Sequence, residues 1–109
     1  MTTPEKTQEK VANPNEYTLI KPIQFDGETV TTLNLDFDDL TAEDLIACAK
    51  QARRIDPDEI TPARATALSY QMAVAARAAK QPIELIKALK AKDFTQITQL
   101  AANFLMIPE

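Results

Sequence analysis

The chain has 109 residues, enough for one domain and too few for two, and 45% of them are hydrophobic, inside the globular range. Its formal net charge of −4 is unevenly spread, with ten acids and three bases in residues 1–44 and six acids and nine bases in residues 45–109. The acidic half excludes a nucleic-acid arm, and the basic half is too diluted with Ala, Asp and Glu to form a stripe that tracks phosphates.

Residues 1–15, MTTPEKTQEKVANPN, offer almost nothing to bury and read as a disordered arm. The first ten are polar, without the apolar segment of a secretory signal, and no apolar run approaches the roughly 20 residues of a membrane span. The expectation is a soluble, cytoplasmic chain. From 17 to 25 the pattern changes to a period of two, with Tyr17, Leu19, Ile23 and Phe25 apolar and Lys21 breaking the series. Pro22 cannot donate to a ladder, so this strand belongs at an edge or carries a bulge there. Asp26-Gly27 accepts the positive φ angles of a two-residue turn. Residues 28–37 are rich in β-branched side chains and apolar at Val30, Leu33, Leu35 and Phe37, with an odd step from 30 to 33 that allows a bulge. A hairpin over 17–37 follows.

Thr41-Ala42-Glu43-Asp44 resembles a capping box, with Asp44 in place of Glu or Gln. A helix over 42–54 should bury Leu45, Ile46, Ala49 and Ala52 and end on Arg53 and Arg54. After the turn 55–61, Thr61 and Pro62 suit the start of a second helix over 62–80, apolar at Ala65, Leu68, Met72, Ala75, Ala76 and Ala79. Its alanines permit close approach of a neighbour. Gln81-Pro82 ends it. A third helix over 82–90 carries Ile83, Leu85, Ile86 and Leu89. Asp93 can cap a fourth over 94–105, with Phe94, Ile97, Leu100, Ala101, Phe104 and Leu105 on one face. The expected fold is α+β: an N-terminal antiparallel β-hairpin and a bundle of three to four short α-helices, in one domain over 16–109.

Catalytic chemistry is hard to build here. There is no His, so Ser-His and Cys-His pairs are impossible, and the single Gly is taken by the turn. Cys48 is the one cysteine, so neither an internal disulfide nor a four-ligand zinc site can form, and its helical setting suits a buried small side chain. The acids Asp36, Asp38, Asp39, Glu43 and Asp44 are dense but lack the calcium-loop spacing. Helix capping and solvation explain them better, as they explain Asp56, Asp58 and Glu59. Lys87, Lys90 and Lys92 suit a helix C-terminus. The expectation is a non-enzyme with no cofactor or metal and no nucleic-acid or membrane partner. What is left over is apolar helical surface. The segment Phe104, Leu105, Met106 and Ile107 stands out near the C-terminus, either docked into the core or offered to an amphipathic partner helix.

The residues also carry a family likeness. Tyr17 to Ile23 (YTLIKPI), Asp26 to Leu35 (DGETVTTLNL) and Leu40 to Leu45 (LTAEDL) resemble the start of the small tail assembly chaperones of long-tailed bacteriophages and Mu-like prophages. Ala73 to Ala79 (AVAARAA), Pro82 to Ile86 (PIELI), Ala91 to Thr95 (AKDFT) and Asn103 to Leu105 (NFL) are similar to the same family. The likeness covers about residues 16–106 and lies in pattern and order rather than in a catalytic signature. It implies a non-catalytic chaperone that binds the tape measure protein, a long helical client, and keeps it soluble in the host cytoplasm until tail tube protein polymerises around it. It further implies absence from the mature virion and, in many such phages, a longer frameshifted product beside the short one. Read without the likeness, the same sequence suits a small interaction adaptor or regulatory module unrelated to phage tails. Self-association, through an edge strand or alanine-rich helices, is compatible with either.

Overall fold

The computed structural model describes residues 15–59 and 66–106. An antiparallel two-stranded hairpin, β1 (Glu16–Phe25) and β2 (Glu28–Asn34), opens the fold. Asp26 and Gly27 join the strands with φ of 55° and 82°, the positive pair that a primed turn requires. The turn pairs Phe25 with Glu28, so register is fixed at the tip. It then breaks: Thr18 pairs with Thr32 and Ile23 with Val30. Four residues of β1, Leu19 to Pro22, therefore lie against Thr31 alone. The bulge expected at Pro22 is present, and it is the same feature as the odd step in β2. By inserting residues it brings Ile23 opposite Val30 and Tyr17 opposite Leu33. Leu19, Ile23 and Leu33 are buried as the alternation requires, and Lys21 is exposed.

The second strand stops earlier than the sequence suggests. Leu35 and Asp36 leave the ladder, the Leu35 N–H bonding the Asn15 carbonyl at 2.9 Å and the Asp36 N–H the Ala78 carbonyl at 3.3 Å. A 3-10 turn (Phe37–Asp39) follows. Of the expected arm over 1–15, residues 1–14 lie outside the described part.

Four helices complete the body: α1 (Ala42–Ile55), α2 (Leu68–Ala79), α3 (Ile83–Ala88) and α4 (Ala91–Met106). At the start of α1 the capping box forms as read, with Asp44 N–H donating to Thr41 Oγ1 at 3.2 Å and Thr41 N–H to Asp44 Oδ2 at 2.9 Å. Leu45, Cys48, Ala49, Ala52 and Ile55 turn inward at helical spacing, whereas Ile46 is 57% exposed. Ile46 is thus not in the buried stripe where its sequence neighbours place it.

The start expected for the second helix, at Thr61 and Pro62, lies outside the described residues. Within them, Thr66 is in a 3-10 turn and Ala67 is extended, so α2 begins at Leu68. The reason is a distant cap. The Glu59 carboxylate accepts the Leu68 N–H at 3.1 Å, the Ser69 N–H at 3.2 Å and a short bond from the Ser69 hydroxyl. These are first-turn donors that α2 cannot satisfy itself. Leu68, expected on the apolar face, is 47% exposed at this end.

Helix α2 is the centre of the molecule. Met72 to Ala76 are all buried, as are Ser69, Tyr70, Ala78 and Ala79. It packs on α1, α3 and α4 and touches β2. A helix buried over most of its surface needs small side chains so that several neighbours can approach, and alanine supplies them. Lys80 ends it in the left-handed conformation, and the Gln81 N–H returns to the Ala76 carbonyl at 3.0 Å. The third helix is shorter than the sequence suggests and the fourth longer. Lys90, not Asp93, precedes α4, and its carbonyl accepts the Phe94 N–H at 2.8 Å. Asp93 is therefore inside the first turn, with its carboxylate turned to another partner.

Candidate functional site

That partner is the bulge. Asp93 is fully buried, and its carboxylate accepts the Ile20 N–H at 2.8 Å, the Lys21 N–H at 3.0 Å and the Tyr17 hydroxyl at 2.9 Å. Four β1 residues facing one β2 residue leave backbone donors without a ladder partner, and Asp93 takes two of them. Burial pushes its carboxyl up, but the bonds from Lys21, Ile20 and Tyr17 outweigh this and hold it below the usual carboxylate range. Shielding from solvent and the adjoining Asp93 charge push the Tyr17 hydroxyl up to about 12. A buried carboxylate beside a tyrosine would be a catalytic candidate if it faced a cleft. This one faces backbone donors, so it fixes the hairpin to α4. Sequence reasoning placed Asp93 as a helix cap, and no local signal distinguishes the two roles.

The acidic cluster is met by bases of α2. Arg77 Nε donates to Asp44 Oδ1 at 2.9 Å, and Lys80 Nζ lies 3.5 Å from Asp39 Oδ2. The Thr41 N–H, followed by the Arg77 guanidinium, holds the Asp44 carboxyl below its usual range. These side chains line an open cleft of about 490 Å³ between the 3-10 turn, α1 and the end of α2. Among the described residues, no group of three or more acids or cysteines is placed to hold a metal ion. Cys48 is buried, and desolvation pushes its thiol up to about 11, far from a reactive thiolate.

The C-terminal apolar segment divides. Phe104 stacks on Phe37 with ring centroids 5.4 Å apart and planes 20° from parallel. Leu105 is half-buried against the core, Met106 is 51% exposed, and Ile107 lies outside the described residues. Leu100, one turn before Phe104 and expected to be buried, is 38% exposed. Ile20, at the tip of the bulge, is 52% exposed. No described helix is long and apolar enough to cross a membrane. The surface thus carries large apolar side chains on β1, α1, α2 and α4, while Asp44 is engaged by Thr41 and Arg77 and Asp39 by Lys80.

A family model described as phage tail assembly chaperone proteins, E, or 41 or 14, matches residues 16–106, from the first residue of β1 to the last of α4. The chain belongs to this family. No curated protein and no solved structure matches it. Membership assigns a tail assembly chaperone role and decides between the two readings of the sequence in favour of tail assembly. Chaperones of this kind are generally non-catalytic.

Proposed function

We propose that this tail assembly chaperone binds the phage tape measure protein in the host cytoplasm, keeps it soluble until tail tube protein polymerises around it, and is left out of the finished virion. The single observation that carries the reading is the family match over residues 16–106. The surface supports it. A long helical client exposes apolar stripes before assembly, and a small acidic protein with exposed Ile20, Ile46, Leu68, Leu100 and Met106 can cover such stripes while its own charge keeps the complex dispersed. Release when the tube forms requires modest affinity at each contact, so several copies along one client are expected.

The end of α4 is one contact region in this proposal. Leu100 and Phe104 lie one turn apart in α4, and Leu105 and Met106 follow them. The half-buried Phe104 and Leu105 anchor the strip to the body, and Met106 offers the free apolar area. No reaction is assigned to any residue. Co-expression with the tape measure protein of the same phage tests the reading. The client should move from the insoluble to the soluble fraction and co-elute with the chaperone on size exclusion. A client that stays insoluble, with no complex in the eluate, overturns it.

A further inference from the structure

Helices α1 and α2 leave an open groove between them of about 460 Å³. Leu45, Ala49 and Tyr70 line it, with Ile46 standing 57% exposed at its edge and Lys50 and Arg53 along the same side. Ile46, Lys50 and Arg53 follow the spacing i, i+4, i+7, so they form one face of α1 beside its buried stripe. From Leu45 to Ile55 this helix carries three cations and no acid. Its acids, Glu43 and Asp44, are both at the N-terminal end, and Asp44 is already paired with Arg77. Among the described residues, no acid lines the groove and neither Lys50 nor Arg53 has an ion-pair partner.

We propose that the groove seats an amphipathic helix whose apolar stripe is flanked by Asp or Glu. The apolar floor takes the stripe, and Lys50 and Arg53 take carboxylates on one side of it. Leu45 to Arg53 spans about 12 Å of helix axis, room for roughly two turns of such a partner. Charge excludes the nearest alternatives. A second copy docking symmetrically would bring Lys50 and Arg53 against their own equivalents. The segment 60–65, ITPARA, contributes only the cation Arg64, and residues 1–14 carry two acids balanced by two bases. The inference deepens the helical-client reading, and rests on it, by stating which charge the client must carry.

The test uses the full chain and two synthetic helical peptides with the same apolar stripe, one flanked by Glu and one by Lys, followed by fluorescence anisotropy. The Glu peptide should bind at least tenfold more tightly than the Lys peptide. The double variant Lys50→Glu, Arg53→Glu should reverse the order, and Ile46→Ser should weaken both. All three positions are exposed, and circular dichroism checks that the variants fold. Equal binding of the two peptides, or a preference that survives the double variant, overturns the proposal. So does binding that appears only in an Ile60→Ser variant, which would assign the groove to the chain's own linker. Self-association abolished by the double variant, seen by analytical ultracentrifugation, would assign it to another copy. In the co-expression assay, a client complex that forms with wild type and persists undiminished with the double variant rejects the groove and leaves the chaperone reading standing. Loss of the client with wild type rejects that reading, and the peptide comparison still decides the groove.

Discussion

Replacing Asp93 by Asn isolates the clamp between the hairpin and the helices. The two side chains have the same shape, but Asn has one acceptor oxygen where the carboxylate serves three donors. With its oxygen at the Oδ1 position, Asn retains the Ile20 N–H and the Tyr17 hydroxyl and turns its NH2 on the Lys21 N–H. Flipped, it loses the Ile20 N–H instead. Either way one backbone donor is stranded, at about 1–3 kcal/mol, and the retained bonds lose charge assistance worth about 1 kcal/mol each. Two terms reduce the sum. Asn no longer buries a charge, and the Ile20 and Lys21 amides are only partly shielded from water. The expected loss is about 2 kcal/mol, a drop in Tm of roughly 10 °C for a domain of this size. Asp93→Ala strands both amides and opens a small void, so about 3–5 kcal/mol is expected.

Urea titration at neutral pH measures both variants, and an acid series adds a second readout. The folded carboxyl of Asp93 lies below its ordinary value of 3.8. The unfolded chain therefore takes up the proton first, and the stabilisation is present above 3.8 and lost as pH falls through the lower folded value. The gap between wild type and Asp93→Asn should narrow below about pH 4. Equal midpoints for wild type, Asp93→Asn and Asp93→Ala would refute the clamp. A gap that stays constant into strong acid would refute the ionised state assigned to it.

Tyr17 has the opposite sign: its folded value is raised from 10.0 to about 12, so its contribution is complete below pH 10 and is lost as pH rises toward 12. Tyr17→Phe should be slightly less stable than wild type at pH 7 but lose less stability over that alkaline window, as followed by thermal melts. Cys48, with its thiol pushed up to about 11 behind a closed shell, should react with Ellman's reagent only at the rate of unfolding, whereas rapid labelling in native buffer would place it at the surface. Thr41→Ala removes one half of the capping box and should cost about 1 kcal/mol in chemical denaturation. Asp44→Ala should do at least as much harm, because it removes the other half of the box and also breaks the link to Arg77, and a smaller effect would deny Asp44 its second role. Phe104→Asp should weaken client retention and also disturb the Phe37 stack, with circular dichroism separating the two; a folded variant that still retains the client removes this strip from the interface.

Local rules made much of the fold legible. Asp26-Gly27 specifies its turn because few other residue pairs tolerate two positive φ angles. Thr41 and Asp44 specify the start of α1 through bonds made within four residues. The bulge was legible as an irregularity at Pro22, and the odd step from Val30 to Leu33 signalled the same break from the other strand. Where sequence reasoning misplaced a boundary, a distant group had taken over. Glu59 caps α2 from nine and ten positions upstream, and the helix begins at Leu68 after an extended Ala67. Asp93 looks like a cap because acids favour first turns, but its carboxylate is claimed by amides more than 70 positions away. Both cases involve a carboxylate satisfying backbone donors, and nothing in the local spacing says which donors those are.

The candidate surface was less legible, and the reason lies in the alanines. At about 100° per residue, Leu45, Cys48, Ala49, Ala52 and Ile55 occupy one arc of α1, and Ile46 falls beside it with Lys50 and Arg53. Hydrophobic counting includes Ile46 in the stripe because a globular helix commonly buries an arc wide enough to hold it. Here the neighbour is α2, whose Ala73, Ala75, Ala76, Ala78 and Ala79 are all buried. A helix bearing methyl groups presents a thin cylinder. It lets several neighbours approach, but it covers a narrower arc of each than a leucine-rich helix would. Leu100 on α4 stands outside its seam as Ile46 does on α1. The close packing that alanine permits at the centre therefore has a geometric counterpart at the surface, where large apolar side chains are left over. A chaperone needs that distribution, since it must hold its own body together through one set of contacts and keep another set available for a client.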